Sequence, residues 1–560
     1  MITTSAPLRL DLLAAALPVQ VSEEVGAQTV ELGNLAGLSL VAVAVAMFAR
    51  SRGWGVALPL VAAGVLLSQL PVGPNPPKAP EVIQVAVLAP LVFGEALGSS
   101  YIDIRKVRRP ILLLAIGLVV ATTLLVGGAV AALIVGVPIA MCFALGAILA
   151  PTDAVAVAAA ARRANLPPRV VTILEGESLV NDGTGLTALR VAVVAAAAGT
   201  VTVTEAGMIL AESVVIGIGI GIICGFILVW VLRKSSDLIG SGGLLIVAPF
   251  AMYILTEQLE GSAILAIVAA GLMVSHSTHS DPAYRGRLQV AAVWRQITFV
   301  LQAIAFMLIG MELPDAIEIL TDGERKQLLI LVPVVVAVLI ATRMVFVRAM
   351  VTGRRITTKE GKTRRLFNPR TGLVVGWAGA RGPVSVLAAF SLPLLADDGS
   401  DLPGRNIVIA VSLCVIVITL LLAPTLGPLA KRLGVTAKDN PQRTNMLRIA
   451  MARAALKALD DAEAEADDNG TPLSPRTVAL LRAKEEDRLA RTTTDDVVDD
   501  MGAAAESVRI ALAMAQAEQS ALIRLRNDEG VPDSTIRPLM TEIDARIGTL
   551  RRAIDSGPAN

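Results

Sequence analysis

Long apolar runs, interrupted at intervals by charged residues, prolines and glycines, occupy the first three quarters of the chain. As an α-helix, a run of about twenty residues crosses the roughly 30 Å hydrocarbon core of a bilayer. Reading the runs between their breaks predicts about thirteen spans, and therefore an all-α polytopic membrane protein. The predicted spans lie at about 31–49, 53–70, 81–98, 110–135, 138–161, 169–198, 205–232, 240–257, 261–274, 292–311, 327–351, 371–395 and 405–430.

The charges of the connecting loops alternate along the chain. Loops after odd-numbered spans are basic, as at Arg105 and Arg233, and the richest of them is residues 354–370. Loops after even-numbered spans are neutral or acidic, as at Glu257 and Asp397. Because basic loops are retained on the cytoplasmic side, the N-terminus is predicted to lie outside and the C-terminus in the cytoplasm.

This pattern predicts three regions: an extracellular N-terminal segment at 1–30, a transmembrane domain at 31–432 and a cytoplasmic tail at 433–560. The tail is rich in Ala, Arg, Glu and Asp at helical spacing, which predicts soluble amphipathic helices. They suit a solvated bundle that aids folding or dimer contacts, and a regulatory role stays open. Residues 8–20 resemble a short signal peptide, but Asp11 interrupts their apolar core.

Composition agrees with a membrane protein and narrows the classes of function. Of the 560 residues, 54% are hydrophobic and 17% charged, with a net charge of +1 and a mean hydropathy of +0.67. No basic patch interleaved with aromatic residues points to nucleic acid. The sequence has no zinc-protease, nucleophile-elbow or phosphate-loop motif, so neither an enzyme nor a cofactor is predicted. His276 and His279 are interpreted as part of a solvated loop rather than a metal site.

The fifth predicted span carries a carboxylate near the middle of the bilayer. Asp153 precedes Arg162 by nine residues, which is about 14 Å along a helix. Pro151 removes a backbone donor and predicts an interruption of the helix. Exposed carbonyls beside a carboxylate form a hard oxygen environment that suits a small cation. The alternative is that Asp153 only pairs with an arginine or caps a half-helix.

The sixth predicted span contains a dense polar cluster formed by Glu175, Glu177, Ser178, Asn181 and Asp182. Ser178 and Asp182 are four residues apart, as are Glu177 and Asn181, so these groups share one side of the helix. A charge inside a span costs about 2.5–3.5 kcal/mol on insertion scales, so such a cluster indicates function. Glu175 lies nearer the cytoplasmic end, where it can be hydrated.

The twelfth predicted span is broken like the fifth. Arg381 stands in mid-span between Gly379 and the pair Gly382–Pro383. Two broken crossing helices, one in each set of six spans, predict two inverted six-helix repeats with a site at the bilayer midplane. Arg381 cannot lose its proton and needs a partner. Glu177 is predicted at a similar depth, so the two are expected to form a structural ion pair.

Three motifs in this order resemble the monovalent cation:proton antiporter-1 family, which includes the NhaP-like bacterial Na+/H+ antiporters. They are Pro-Thr-Asp at 151–153, Glu-x-Glu-Ser-Leu-Val-Asn-Asp at 175–182 and Ala-Arg-Gly at 380–382. The resemblance covers about residues 30–430 and excludes the tail.

The resemblance implies roles for individual residues. Those implied to bind the cation or the proton are Asp182, Asp153, Ser178, Thr152 and Asn181. Na+ is expected at Asp153, Ser178 and Asp182, and proton and cation compete for Asp182. The family's glutamate–arginine bridge carries over to Glu177 and Arg381.

One position departs from the family pattern. Relatives often carry Phe-Glu on the third span, with that glutamate near the ion. Here the order is Val-Phe-Gly-Glu at 92–95, so Gly94 takes the place of the glutamate. Glu95 is the possible substitute.

The resemblance implies an electroneutral antiporter that exchanges Na+ or Li+ for H+, forms a homodimer and serves sodium or proton homeostasis at the plasma membrane. The partners expected are the lipid bilayer and monovalent cations, with no cofactor. Two alternatives remain at this point: a K+/H+ antiporter of the same fold, and a cation channel or sensor governed by the tail.

Overall fold

The computed structural model describes most of the chain, with gaps. The described residues are 19–70, 84–134, 136–198, 202–235, 237–280, 284–353, 355–357, 363–365, 368–395, 402–437, 441–469, 473–493, 512–520 and 542–551. Residues 1–18, which are most of the predicted extracellular segment, lie outside them. They include all but the last two of the signal-like residues 8–20. The chain divides into two compact units, Met1–Ala437 and Lys438–Asn560. The assignment of these units to membrane and cytoplasm stays a prediction.

The first unit is built almost wholly of helices. In chain order they are α1 (Val19–Ser51), α2 (Ala57–Ser68), α3 (Ala89–Gly98), α4 (Tyr101–Lys106), α5 (Arg108–Leu112), α6 (Val119–Leu133), α7 (Ile139–Leu149), α8 (Ala154–Arg163), α9 (Pro168–Ala198), α10 (Val203–Lys234), α11 (Leu238–Gln258), α12 (Ala263–Ser280), α13 (Tyr284–Glu318), α14 (Asp322–Gly353), α15 (Pro369–Trp377), α16 (Pro383–Phe390), α17 (Arg405–Leu422) and α18 (Leu426–Leu433). Wide-turn π-helical stretches at Gln84–Leu88 and Leu113–Leu118 lead into α3 and α6, and a 3-10 turn at Ala423–Thr425 precedes α18.

The second unit contains α19 (Pro441–Asp468) and α20 (Pro475–Thr493), and residues 512–520 and 542–551 are also helical. Arg482 of α20 bonds the carboxylates of Asp460 and Glu463 in α19 at 2.8 and 3.0 Å. These partly exposed ion pairs join two helices whose apolar faces are narrow, as expected for a solvated pair.

The richest basic loop contains a small structure that the sequence did not indicate. Strand β1 (Arg355–Thr357) pairs antiparallel with β2 (Thr363–Arg365), with Thr357 opposite Thr363. The sequence predicted no secondary structure for this loop. The strands are only three residues long, which is too short for a periodic pattern to be recognised.

Helix length and apolarity agree with a membrane domain. Within the described residues, eight helices are long and apolar enough to cross a bilayer, and shorter apolar helices lie at Ala57–Ser68, Val85–Gly98, Ile139–Leu149 and Ala263–Ser277. The prediction of an all-α polytopic fold is confirmed by these helices. The count of thirteen spans stays a prediction.

Two clusters of buried apolar residues organise the first unit. The larger one joins α5–α9 and α14–α18 with parts of α1, α2 and α13. The smaller one packs α3 against α10–α13, where Phe93 and Trp294 meet edge to face with ring centroids 5.2 Å apart. The interrupted helices belong to the larger cluster, so the broken segments are held within packed helices rather than facing lipid.

A candidate cation and proton site at two crossed helix breaks

Two interrupted helices meet within the first unit. Residues 150–153 separate α7 from α8, and residues 378–382 separate α15 from α16. The backbone N–H of Asp153 donates to the carbonyl of Ala380 at 2.9 Å, so the two breaks hydrogen-bond each other. Non-helical backbone at membrane depth is tolerated where it is buried in protein in this way. Both breaks lie where the sequence predicted them.

Glycines allow the breaks to approach their neighbours. A Cβ atom on Gly185 of α9 would fall 2.3 Å from the Cγ of Pro151. A Cβ atom on Gly382 would fall 2.5 Å from the Cγ of Asp153. No side chain fits at such distances without displacement of the break. The glycines therefore set how closely the two interruptions and α9 pack.

This close approach leads to a first prediction. Gly382→Ala is expected to push Asp153 away from the crossing, to lower the free energy of unfolding by about 1–3 kcal/mol and to reduce transport. Gly128→Ala is the matched control, because Gly128 in α6 has open space around its missing Cβ. That change should be neutral or stabilising by up to about 1 kcal/mol. Equal behaviour of the two variants in unfolding and flux assays would contradict the packing described here.

A buried hydrogen-bond network ties the first break to α9. The amide of Asn181 donates to the hydroxyl of Thr152 at 2.9 Å. That hydroxyl also lies 3.4 Å from the Oε1 of Glu177 and 3.2 Å from the hydroxyl of Ser178. All four side chains are at most 3% exposed. Four of the residues implied by the motifs are thus brought together, with Thr152 at the centre.

Asp182 follows this network on α9 and has an unpaired oxygen. Its side chain is 3% exposed, and its Oδ1 has no hydrogen-bond partner among the described residues. The Oδ1 of Asn181 also has no hydrogen-bond partner among the described residues. Buried polar atoms are almost always hydrogen-bonded, so adjacent orphan acceptors need an explanation. Both are acceptors, and each is the type of oxygen that binds a proton or a small hard cation.

Two further carboxylates face the same region. Asp153 is half-buried at the break, where its Oδ2 accepts the backbone N–H of Ala156 at 3.2 Å. Asp153 and Glu95 both interact electrostatically with Asp182. Several like charges in one buried region cannot all be carried without a counter-ion or protons. The arrangement therefore favours occupation by a cation or protonation.

The structure gives a reason for the departure on the third span. A Cβ atom on Gly94 would fall 2.3 Å from a methyl of Thr298 and 3.0 Å from the ring of Trp294. A glutamate at position 94 would therefore point into α13. Glu95, one residue later, is the residue that interacts electrostatically with Asp153 and Asp182.

The predicted Glu177–Arg381 pair is corrected by the structure. Glu177 pairs with Arg343 of α14, whose Nη2 donates to Oε2 at 3.0 Å and whose Nη1 donates to Oε1. Arg343 also donates from Nε to the carbonyl of Val375 at 3.2 Å. The paired side chains are 2% and 1% exposed. Arg343 lies within the uninterrupted helix α14, and its guanidinium meets the carboxylate in the two-pronged geometry that suits such a pair.

Arg381 has different partners because its backbone lies in the break. Its Nε donates at 2.9 Å to the carbonyl of Leu149, the last residue of α7, and its Nη1 donates to the carbonyl of Gly379. Its backbone N–H donates to the hydroxyl of Thr419 at 3.2 Å. Carbonyls at a helix C-terminus lack intrahelical partners and carry partial negative charge, so a cation is stable there.

Sequence reasoning missed Arg343 in this site. A signal was present, because it is a charge inside the apolar run 327–351. Two other charged residues of α9 have partners elsewhere. Glu175 pairs with Arg162 at 2.9 Å, and Arg190, for which the sequence suggests no partner, donates to the carbonyl of Glu260 at 3.1 Å.

Broken helices that cross in a packed apolar domain, with the unpaired carboxylate oxygen of Asp182 beside them, define the class of secondary ion transporters. The sequence model of the family described as "Sodium/hydrogen exchanger, transmembrane" matches residues 37–432. The chain belongs to this family, which confirms the resemblance to the monovalent cation:proton antiporter-1 family. It is therefore a transporter rather than an enzyme.

Two relatives show how far the similarity extends. A Mycobacterium tuberculosis protein named an uncharacterized Na+/H+ exchanger is 32% identical over 494 residues, which cover 87% of this chain and 90% of that protein. A Bacillus pumilus protein named a sodium, potassium, lithium and rubidium/H+ antiporter is 32% identical over 71% of this chain and 61% of its own length.

A solved structure supports the fold. The sodium proton antiporter MjNhaP1 from Methanocaldococcus jannaschii matches with a TM-score of 0.57 at 17% identity. The match covers 72% of this chain and 99% of that structure. At this identity the likeness concerns the fold alone.

Proposed function

We propose that the protein exchanges Na+ or Li+ for H+ across the plasma membrane. The observation that carries the proposal is the buried Asp182 carboxylate with an unpaired Oδ1. A buried carboxylate is costly in its charged form unless it is paired. In an antiporter, a cation and a proton would supply that pairing in alternation.

The mechanism proposed is competition for this carboxylate. When Asp182 is deprotonated, it holds the cation together with oxygens of Asp153 and Ser178. When it is protonated, the site loses the charge that makes cation binding favourable. Because an empty charged site is costly at membrane depth, the site changes its exposure from one side of the membrane to the other only with one of the two ions bound. This couples the two flows. Thr152 and Asn181 position the cluster through their hydrogen bond.

We propose one-for-one, electroneutral exchange. Support comes from Asn181, a neutral amide beside Asp182, where a second carboxylate would add a charge to the transported unit. Flux should then be unchanged when a potassium gradient with valinomycin sets the membrane potential in either direction. A steep dependence on potential would contradict it.

The arrangement in the membrane is also proposed. The alternating loop charges support an external N-terminus and a cytoplasmic C-terminus. We propose that the protein works as a homodimer. Large hydrophobic side chains remain exposed along α10, for example Val215 and Phe226 at 70% each, which suits lipid or a second copy of the chain.

The experiment uses purified full-length protein in vesicles that contain a pH-sensitive dye. Addition of Na+ or Li+ should move protons, whereas choline should not. K+ is included because the B. pumilus relative is named for potassium and rubidium as well; a K+ response of equal size would establish the potassium alternative. Cation flux without proton movement would contradict exchange and would favour a channel.

Glu95 gives a graded prediction. Glu95→Gln removes a carboxylate that interacts electrostatically with Asp182 and Asp153 while preserving side-chain size. The apparent Na+ affinity is expected to fall by about three- to tenfold, with maximal flux largely kept. Glu212→Gln, a change at an exposed residue of α10, is the control. Unchanged affinity would exclude Glu95 from the site.

A further inference from the structure

A cavity lined by residues of α4, α10 and α12 shares no residue with the ion site. It has a volume of about 620 Å³, within the roughly 300–1,000 Å³ range of small-molecule sites. Its lining includes Arg105 of α4, Arg233 and Lys234 at the end of α10, and His276 of α12. These residues follow the third, seventh and ninth predicted spans, whose loops are all predicted on the cytoplasmic side. The ion transport mechanism uses none of them.

The charge of this cavity is one-sided. Three permanent cations line it, and none of its described lining residues is acidic. The carboxylate of α4, Asp103, hydrogen-bonds Lys106 at 2.8 Å and is not part of the lining. Like charges held close together without an acidic partner favour an anionic ligand.

Two of the basic side chains, Arg233 and Lys234, contact neighbouring side chains. The Nε of Arg233 donates to the hydroxyl of Ser277 at 3.2 Å, which uses one of the five N–H donors of a guanidinium. The Nζ of Lys234 lies 4.9 Å from the ring centroid of Trp230. Tyr101 and His276 both line the cavity, and their ring centroids lie 5.1 Å apart. Arg233 is thus placed by a contact from α12 and Lys234 by a contact within α10, and the Tyr101–His276 contact joins α4 to α12.

The apolar side of the cavity continues along the outside of α10. Phe226, Trp230 and Met273 line it. Ile223, Phe226 and Trp230 are 62%, 70% and 58% exposed and recur at helical spacing on one face. A basic pocket at the end of an exposed apolar stripe complements the two parts of an anionic phospholipid. The pocket suits the phosphate headgroup, and the stripe suits an acyl chain.

We propose that this cavity binds the phosphate headgroup of an anionic phospholipid of the cytoplasmic leaflet, with an acyl chain along the α10 stripe. Arg105, Arg233 and Lys234 contact the phosphate, and Phe226 and Trp230 contact the chain. The inference is independent of the cation transported, because no residue of the ion site takes part.

Trp230 provides a local reporter. The full-length protein is reconstituted in phosphatidylcholine vesicles that contain a minor, constant fraction of phosphatidylglycerol. Bromine atoms, which quench tryptophan, are placed near the headgroup end of the acyl chains of either the phosphatidylglycerol or an equal amount of the phosphatidylcholine. Comparison with Trp230→Phe isolates the signal of this residue from that of the other tryptophans.

Brominated phosphatidylglycerol is expected to quench Trp230 more strongly, with an enrichment over phosphatidylcholine of about fivefold or more. The triple variant Arg105→Gln, Arg233→Gln, Lys234→Gln should bring the ratio close to one. The variant Arg105→Lys, Arg233→Lys, which keeps the charge, should retain the preference. The control triple variant Arg108→Gln, Arg109→Gln, Arg432→Gln removes exposed basic residues outside the cavity and should also retain it.

Equal quenching by the two lipids would overturn the proposal. A preference that survives the Arg105/Arg233/Lys234 change would also overturn it, because bulk surface charge would then explain the signal. A third arm adds inorganic phosphate to the vesicles. Loss of the preference in that arm would assign the cavity to a soluble anion instead of a lipid.

Discussion

Replacing Asp182 with Asn is expected to reduce cation-dependent proton movement in vesicles to that of protein-free vesicles, a loss of about a hundredfold or more. The amide has nearly the same size but cannot bind and release a proton in this range of pH. The substitution also removes the negative charge that holds the cation. The hydrogen-bond network around Thr152 does not include Asp182, so the fold should persist.

The control is the same Asp-to-Asn change at an exposed position, Asp237→Asn. Asp237 is exposed, and its carboxylate accepts the backbone N–H of Ile239 at 2.9 Å as the cap of α11. Asparagine caps a helix about as well as aspartate. The control should therefore transport like the unmodified protein. If Asp182→Asn retains cation-dependent proton movement, Asp182 is not part of the mechanism. That conclusion does not depend on the result for Asp237→Asn.

The second large effect concerns stability. Glu177→Gln leaves Arg343 buried with its charge unpaired, and should lower the free energy of unfolding by about 3–5 kcal/mol. Unfolding in mixed detergent and SDS micelles, followed by far-UV circular dichroism, measures the difference. Removing both charges in Glu177→Gln, Arg343→Met should recover most of the loss, because no unpaired charge then remains in the interior.

Glu175→Gln is the matched control, with the same substitution two residues earlier on α9. Its partner Arg162 has a side chain that is 73% exposed, so this pair should contribute at most about 1 kcal/mol. Comparable losses for the two substitutions would show that the buried pair has no special role in holding α9 against α14.

The helices and their interruptions could be predicted because their causes are local. Pro151 and the Gly382–Pro383 pair disrupt helical hydrogen bonding wherever they occur in a span. Side chains four residues apart on α9 share a face, so the grouping of Ser178 with Asp182 could also be predicted from spacing.

The partners of the buried charges could not be predicted in the same way. Glu177 and Arg343 are separated by 166 positions, and depth along a helix does not say which of two arginines faces a given carboxylate. Depth alone favoured Arg381 as the partner of Glu177. The backbone of Arg381 lies in the helix break, however, and its side chain therefore reaches the end of α7 instead. The place of Glu95 depends on how α3 is rotated against α13, which is set by Gly94 packing on Thr298.

The most direct test of competition for Asp182 is the binding of radioactive sodium to the purified protein over a series of pH values. The account predicts that the apparent Kd rises as the pH falls, by up to about tenfold per pH unit, while the amount bound at saturation stays constant. Asp182→Asn should abolish the pH-dependent binding. An apparent Kd that does not change with pH, or a fall in the saturating amount alone, would contradict the account.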